Sequence, residues 1–170
     1  MFDSSTYPLE ENIERNRRVV ELAKKYGATV EAELGLVGGS EDGSENHGIR
    51  CTNPDDAKLF CECTGIDALA VAIGNAHGNY PVAPKLAFDV LEEIHEKTEI
   101  PLVLHGGSGI TDADFQKAIA LGIVKVNIAT ASFDCLTRRA EEYLKSEGEH
   151  NYFALNEAMV KGTYENVKHQ

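Results

Sequence analysis

Apolar residues along the chain switch repeatedly between helical and strand periods. Over residues 8–26, Val19, Leu22, Ala23 and Tyr26 fall at helical spacing, and Gly27 stands where a left-handed residue would end the helix. Residues 28–34 alternate in part, as a strand does, and stop at Gly35. Asn53-Pro54-Asp55-Asp56 combines an N-cap, a proline at the first helical position and acids in the first turn, opening a helix that closes near Thr64-Gly65. Ala68-Leu69-Ala70-Val71-Ala72-Ile73 is unbroken, which is how a parallel strand covered on both faces reads. Phe88, Leu91 and Ile94 mark the next helix. Residues 101–104 form another apolar strand, residues 111–121 another helix and residues 123–128 the last strand. Helices over residues 131–146 and 151–167 complete the chain, with acids and Lys/Arg mixed on faces expected to be solvated. Strand and helix in alternation predict a parallel sheet and an α/β fold. With no linker, repeat or low-complexity segment, the reading is a single domain over residues 1–170.

Composition narrows the partners. Acids outnumber Lys and Arg by 28 to 16, a formal charge of -12, and phosphate backbones are bound by basic clusters, so no nucleic-acid partner is expected. No apolar run reaches the roughly 20 residues that cross a bilayer, and the N-terminus lacks the basic and apolar regions of a signal peptide. The expectation is a cytoplasmic protein without a membrane partner. Cys51, Cys61, Cys63 and Cys135 are too few and irregular for a disulfide framework, and Cys61-x-Cys63 misses the usual zinc spacing, so they read as reduced thiols.

In barrels of parallel strands the active site lies at the carboxyl ends. Polar residues collect there on strand after strand: Glu31 and Glu33, then Asn75 and His77, then His105 to Ser108, then Asn127 and Thr130. One histidine at a strand end is as well read as a structural residue held by a carbonyl. Two in matched His-Gly settings, His77-Gly78 and His105-Gly106, favour a shared catalytic metal ion, which needs imidazoles converging from adjacent strands and an open position for substrate. Gly106-Gly107-Ser108-Gly109 before a helix offers backbone N–H groups and a hydroxyl to a phosphate; a tight turn is the plainer reading. Asn127-Ile128-Ala129-Thr130 leads into its helix in the same way. The loop between residues 35 and 52 holds Gly38, Gly39, Gly43 and Gly48 and is long enough to be functional. In it, Glu41 and Asp42 are read either as a mobile carboxylate that exchanges a proton over bound substrate or as solvated surface acids.

Four segments taken together resemble the class II, metal-dependent ketose-bisphosphate aldolases. They are Val30-Glu31-Ala32-Glu33-Leu34-Gly35 with Gly38-Gly39 and Glu41-Asp42, the run Ala70 to Gly78, the run Leu102 to Gly109, and Lys125-Val126-Asn127-Ile128-Ala129-Thr130. Any one is weak; four in the family's order and spacing are specific. The resemblance implies a (β/α)8 TIM barrel, of which this chain holds approximately strands 4 to 8 with their helices. It implies Zn2+, or another divalent metal, on His77 and His105, with Glu33 at a position tied to an alternative metal site. It implies phosphate contacts at Gly78, Gly106, Gly107, Ser108, Asn127, Ile128, Ala129 and Thr130, and makes Glu41 the candidate proton shuttle. The activity implied is aldol cleavage of a ketose 1,6-bisphosphate, fructose first and tagatose second, to dihydroxyacetone phosphate and an aldehyde.

The chain departs from the family pattern at its start. Family members carry an upstream Asp-His pair, the Asp a proton donor and the His a third zinc ligand, and neither is in this sequence. Met1-Phe2-Asp3-Ser4-Ser5 resembles the fourth strand. The expectation is therefore an incomplete site within a homo-oligomer or beside a complementing barrel half. The alternative is a catalytically inactive half-barrel that binds phosphate ligands or a partner subunit.

Overall fold

A computed structural model describes residues 1–39, 48–80 and 84–169. The chain divides into two compact units, Met1–Asn127 and Ile128–Gln170. Glu41, Asp42 and His47 lie outside the described residues.

The first unit is a parallel sheet with helices between its strands. Its strands are β1 (Glu31–Leu34), β3 (Ala68–Val71), β5 (Leu102–Leu104) and β6 (Ile123–Val126), in the order β1-β3-β5-β6. Phe2 adds a parallel bridge to Ala32 on the far side of β1, so the chain's first residues extend the sheet by one position. The order follows the sequence, each parallel neighbour being reached through an intervening helix. β3 and β5 are buried on both faces, which is what their continuous apolar runs demand.

The connecting helices are α1 (Leu9–Lys24), α2 (Pro54–Thr64), α3 (Phe88–Lys97) and α4 (Asp112–Ala120). α2 is a helix of local signals: Asn53 caps the amides of Asp55 and Asp56, Pro54 starts it, and Gly65 ends it in the left-handed region. Phe60 and Ala57 on its inner face join Leu69, Val71, Leu91, Ile94, Leu102 and Leu104 in the core.

α1 bears out half of the expected face. Val19 and Ala23 pack against the core, Leu22 and Tyr26 are exposed, and Asn12, Asn16 and Val20 are buried. The residues facing the sheet are spaced by four, and two of them are asparagines whose amides are hydrogen-bonded inside: Asn12 Nδ2 donates to the Glu33 carbonyl at 3.1 Å, and Asn16 Nδ2 to Asn12 Oδ1 at 2.7 Å. Ser4 Oγ donates to Asn12 Oδ1 at 2.6 Å, tying the N-terminal segment to the same cluster. All four cysteines are free, and burial pushes the Cys61 thiol up to about 11.

A second, two-stranded parallel ribbon joins β2 (Gly38–Gly39) to β4 (Ala76–His77), with Gly39 opposite His77. Among the described residues, no helix is long and apolar enough to cross a membrane.

The second unit holds α5 (Thr130–Lys145) and α6 (Tyr152–His169). They meet at Gly162, where a Cβ would lie 2.6 Å from the Cys135 carbonyl oxygen, so only glycine permits this approach. Arg139 pairs with Glu165, and Asn166 Nδ2 donates to Ser132 Oγ at 3.0 Å.

Candidate functional site

The carboxyl ends of β1, β3 and β5 face one another because neighbouring parallel strands pair in register, Glu33 with Ala70 and Ala70 with Val103. β3 leaves the sheet at Val71 and turns through Gly74, whose φ of 99° is open only to glycine, before β4 brings in His77. β5 runs straight into His105, which is 3% exposed. The two imidazoles stand with ring centroids 5.9 Å apart and planes tilted by 35°. With zinc–nitrogen distances of about 2.0–2.1 Å, two imidazoles on one tetrahedral ion have centroids roughly 5 Å apart. The observed spacing exceeds that by roughly 1 Å.

Two carboxylates grip His105. Its Nδ1 lies 2.8 Å from Glu33 Oε2 and its Nε2 3.0 Å from Glu31 Oε1. Glu31 and Glu33 are two apart on β1 and so project to the same side. Lys125 on β6 closes the line, its Nζ 2.7 Å from Glu31 Oε2, and Ser5 Oγ reaches Glu33 Oε1 at 3.5 Å. Carboxylate on imidazole is the arrangement that orients a metal-ligating histidine and raises its basicity. Glu33 thus meets His105 directly.

The donor set fits zinc in part. Imidazole backed by carboxylate is its ligand chemistry, but both ring nitrogens of His105 are engaged, so Glu31 would have to release Nε2 before His105 could bind an ion, and among the described residues no group of three His, Cys, Asp or Glu side chains is placed to hold one. The remaining metal ligands on zinc would have to come from elsewhere.

A neutral imidazole has one N–H and serves only one carboxylate; a charged one serves both. Burial on its own lowers the affinity of His105 for a proton, but the hydrogen bonds from Glu33 and Glu31 outweigh it and hold the group above its ordinary 6.5. Burial likewise favours a protonated Glu31, but Lys125 and then His105 outweigh it and hold Glu31 below its ordinary 4.5. The two shifts set a stability window. The His105 contribution is complete below 6.5 and is lost as pH rises through the raised folded value. The Glu31 contribution is complete above 4.5 and is lost as pH falls through the lowered one. Urea midpoints of the metal-free chain are expected to peak between these limits and fall on both sides. In Glu31→Gln the alkaline decline should shrink, and an unaltered decline would contradict the pairing.

The turn after β5 is built on backbone contacts. Gly106 has φ of 64°, and a Cβ there would lie 2.0 Å from the Ala76 carbonyl oxygen. The Gly107 amide donates to the Asn127 carbonyl at 3.0 Å, and the Asn127 amide to the Leu104 carbonyl at 2.9 Å. The turns carrying Gly107 and Asn127 are therefore tied together, and the Gly107 N–H is already engaged. Ser108 is buried beside them, and Gly78 follows His77 with φ of 84°. Ile128, Ala129 and Thr130 belong to the second unit, where Thr130 begins α5 and the Ala129 carbonyl accepts from the Ser132 and Phe133 amides.

The structure thus brings His77, His105 and Glu33 together. Sequence reasoning saw Glu31 as a polar strand residue without a role, quoted Lys125 only within a family-like segment, and missed Asn12 and Asn16. Lys125 is exposed on β6, the last strand in the sheet order, where a lysine is ordinary, so the sequence carried no signal of its pairing with Glu31. Asn12, Asn16 and Val20 at intervals of four were the mark of a buried polar face.

Residues 1–170 match the family model described as Fructose-bisphosphate aldolase class-II. The D-tagatose-1,6-bisphosphate aldolase subunit GatY of Klebsiella oxytoca is 43% identical over 175 residues, covering 99% of this chain and 62% of that protein. A probable fructose-bisphosphate aldolase of Bacillus subtilis (strain 168) is 48% identical over 130 residues, covering 76% of this chain and 46% of that protein. The crystal structure of a putative fructose-1,6-biphosphate aldolase from Coccidioides immitis superposes with a TM-score of 0.88 at 32% identity, over 98% of this chain and 59% of that one. The YdjI aldolase of Escherichia coli K12 gives 0.79 at 35% identity, over 99% and 56%. The chain spans 46% to 62% of the length of the relatives it matches, and its α/β fold with a parallel sheet is the corresponding part of their barrel.

Proposed function

Since the chain belongs to the class-II fructose-bisphosphate aldolase family, we propose that its site serves zinc-dependent aldol cleavage and condensation of a ketose 1,6-bisphosphate, with fructose bisphosphate the first candidate and tagatose bisphosphate the second. The observation that carries this reading is the pair His77 and His105, with ring centroids 5.9 Å apart at the strand ends, Glu33 on Nδ1 of His105 and Glu31 on its Nε2. His77 and His105 would hold the ion, and Glu33 would orient His105 or take a place on the metal itself. A zinc ion there supplies a Lewis acid that polarises the substrate ketone and acidifies the adjacent carbon. Glu41 is proposed to carry the proton to and from that carbon. Gly78, Gly106, Gly107, Ser108, Asn127, Ile128, Ala129 and Thr130 are proposed to place the phosphate and the dihydroxyacetone portion. This assignment rests on the four family-like segments, and it gives Gly107 a part in shaping the turn, since its N–H is bound to Asn127.

Equilibrium dialysis against zinc tests the core of the reading. The chain is expected to retain zinc, and His77→Ala to weaken retention by about a hundredfold, the upper end of what loss of even an outer-shell partner does. Equal retention by the parent, His77→Ala and His105→Ala would remove the metal site. The grouping of only two imidazoles among the described residues favours a second reading, a half-barrel that binds phosphate ligands or a partner subunit without turnover. Binding of dihydroxyacetone phosphate to the zinc-free chain, with no cleavage of either bisphosphate after zinc is added, would decide for it.

A further inference from the structure

Two side chains that flank His77 in sequence brace the segment carrying His105. Asn75, fully buried, donates from Nδ2 to the His105 carbonyl at 3.0 Å and accepts the Ile73 amide at 2.7 Å. Tyr80, half-buried, accepts the Ala76 amide at its hydroxyl at 2.6 Å and donates that hydroxyl to the Gly106 carbonyl at 2.9 Å. The clamped groups are the peptide that leads into Ala76 and His77, and the two peptides that follow His105. Each imidazole therefore hangs from a Cα at most one residue from a fixed peptide. The backbones also touch directly, since a Cβ on Gly106 would meet Ala76.

We propose that Tyr80 is a positioning residue that sets the separation of His77 and His105, with Asn75 as its buried counterpart. The inference rests on the metal reading of those histidines. A metal site accepts ligand atoms only within a few tenths of an ångström of their ideal distances. Two loops from different strands hold such a span only if something couples them, and one phenol oxygen bonded to both does so. Among the described residues Tyr80 bonds to the backbone of both segments and to neither imidazole, so its part is geometric. Its ring lies against Gly109, with Cδ2 3.2 Å from where a Cβ would stand, and phenylalanine would keep that packing.

Cobalt(II) titration of the full chain, followed by visible absorption and by melting of the metal-free protein, tests the proposal. Tyr80→Phe should bind cobalt at least about tenfold more weakly and with an altered absorption band, while the metal-free chain melts within a few degrees of the parent. An unchanged affinity and band would overturn the positioning role and leave the metal site standing. A parent chain whose cobalt band survives His77→Ala would overturn the metal reading, and the positioning role with it. A measurement on the parent alone covers a Tyr80→Phe chain that does not fold. Zinc should slow hydrogen exchange at the Ala76 amide, because the metal and the Tyr80 hydroxyl would restrain the same segment. Unchanged exchange at Ala76 in a zinc-bound chain would count against the brace.

Discussion

Metal-free His105→Ala is expected to be about 3 kcal/mol less stable than the parent near neutral pH, the usual cost of removing one member of a buried ion pair. Glu33 is 3% exposed, and its Oε2 faces His105 Nδ1 at 2.8 Å. Truncation leaves that carboxylate with the 3.5 Å contact to Ser5 and leaves Glu31 with Lys125 alone. Two acids on the same side of one strand then repel across a new cavity. The expected readout is a lower urea midpoint at an unchanged slope. The penalty should shrink as pH falls through the lowered Glu31 value, because a protonated Glu31 no longer needs the imidazole. Adding Glu33→Gln to His105→Ala should restore part of the loss, since the amide is neutral and can donate to its surroundings. A loss below about 1 kcal/mol that does not vary with pH would show that His105 is held by packing and not by the two acids.

This arrangement also explains why the site was only half legible in the sequence. α2 could be read residue by residue, because Asn53, Pro54, the first-turn acids and Gly65 each act on the few residues beside them. The sheet strands were legible for a related reason, as β3 and β5 are buried on both faces and need unbroken apolar runs. His77 and His105 stood out by their matched His-Gly settings. Their partners did not, because the contacts joining Glu33 to His105 and Lys125 to Glu31 span 72 and 94 residues and depend on strand register. The ribbon of Gly38–Gly39 with Ala76–His77 has two residues per strand, too short for any period to appear. α1 was legible in part: Val19 and Ala23 pack against the core as their period requires, whereas Asn12 and Asn16, which hydrophobic period does not mark, are buried through bonds to Ser4, Glu33 and each other.

Gly106→Ala is expected to be costlier than its size suggests, and Gly27→Ala supplies the matched control. Both glycines have φ of 64°, so both substitutions carry the same left-handed strain, about 1–2 kcal/mol. A Cβ on Gly27 meets nothing within 4 Å. One on Gly106 would lie 2.0 Å from the Ala76 carbonyl oxygen, 2.5 Å from its carbon and 3.1 Å from the His77 nitrogen. All three are backbone atoms, so no side-chain rotation relieves the contact. The β4 and β5 ends must move apart, and with them the bonds from Tyr80 to Ala76 and Gly106 and from Asn75 to His105. Urea denaturation should show Gly106→Ala losing roughly 2 kcal/mol more than Gly27→Ala, in the range of overpacking within a dense interior. Zinc retention should fall only for Gly106→Ala, at temperatures where both variants are folded, because only that variant separates His77 from His105. Equal losses in the two variants would mean that the close approach of these segments is not what fixes the histidine pair.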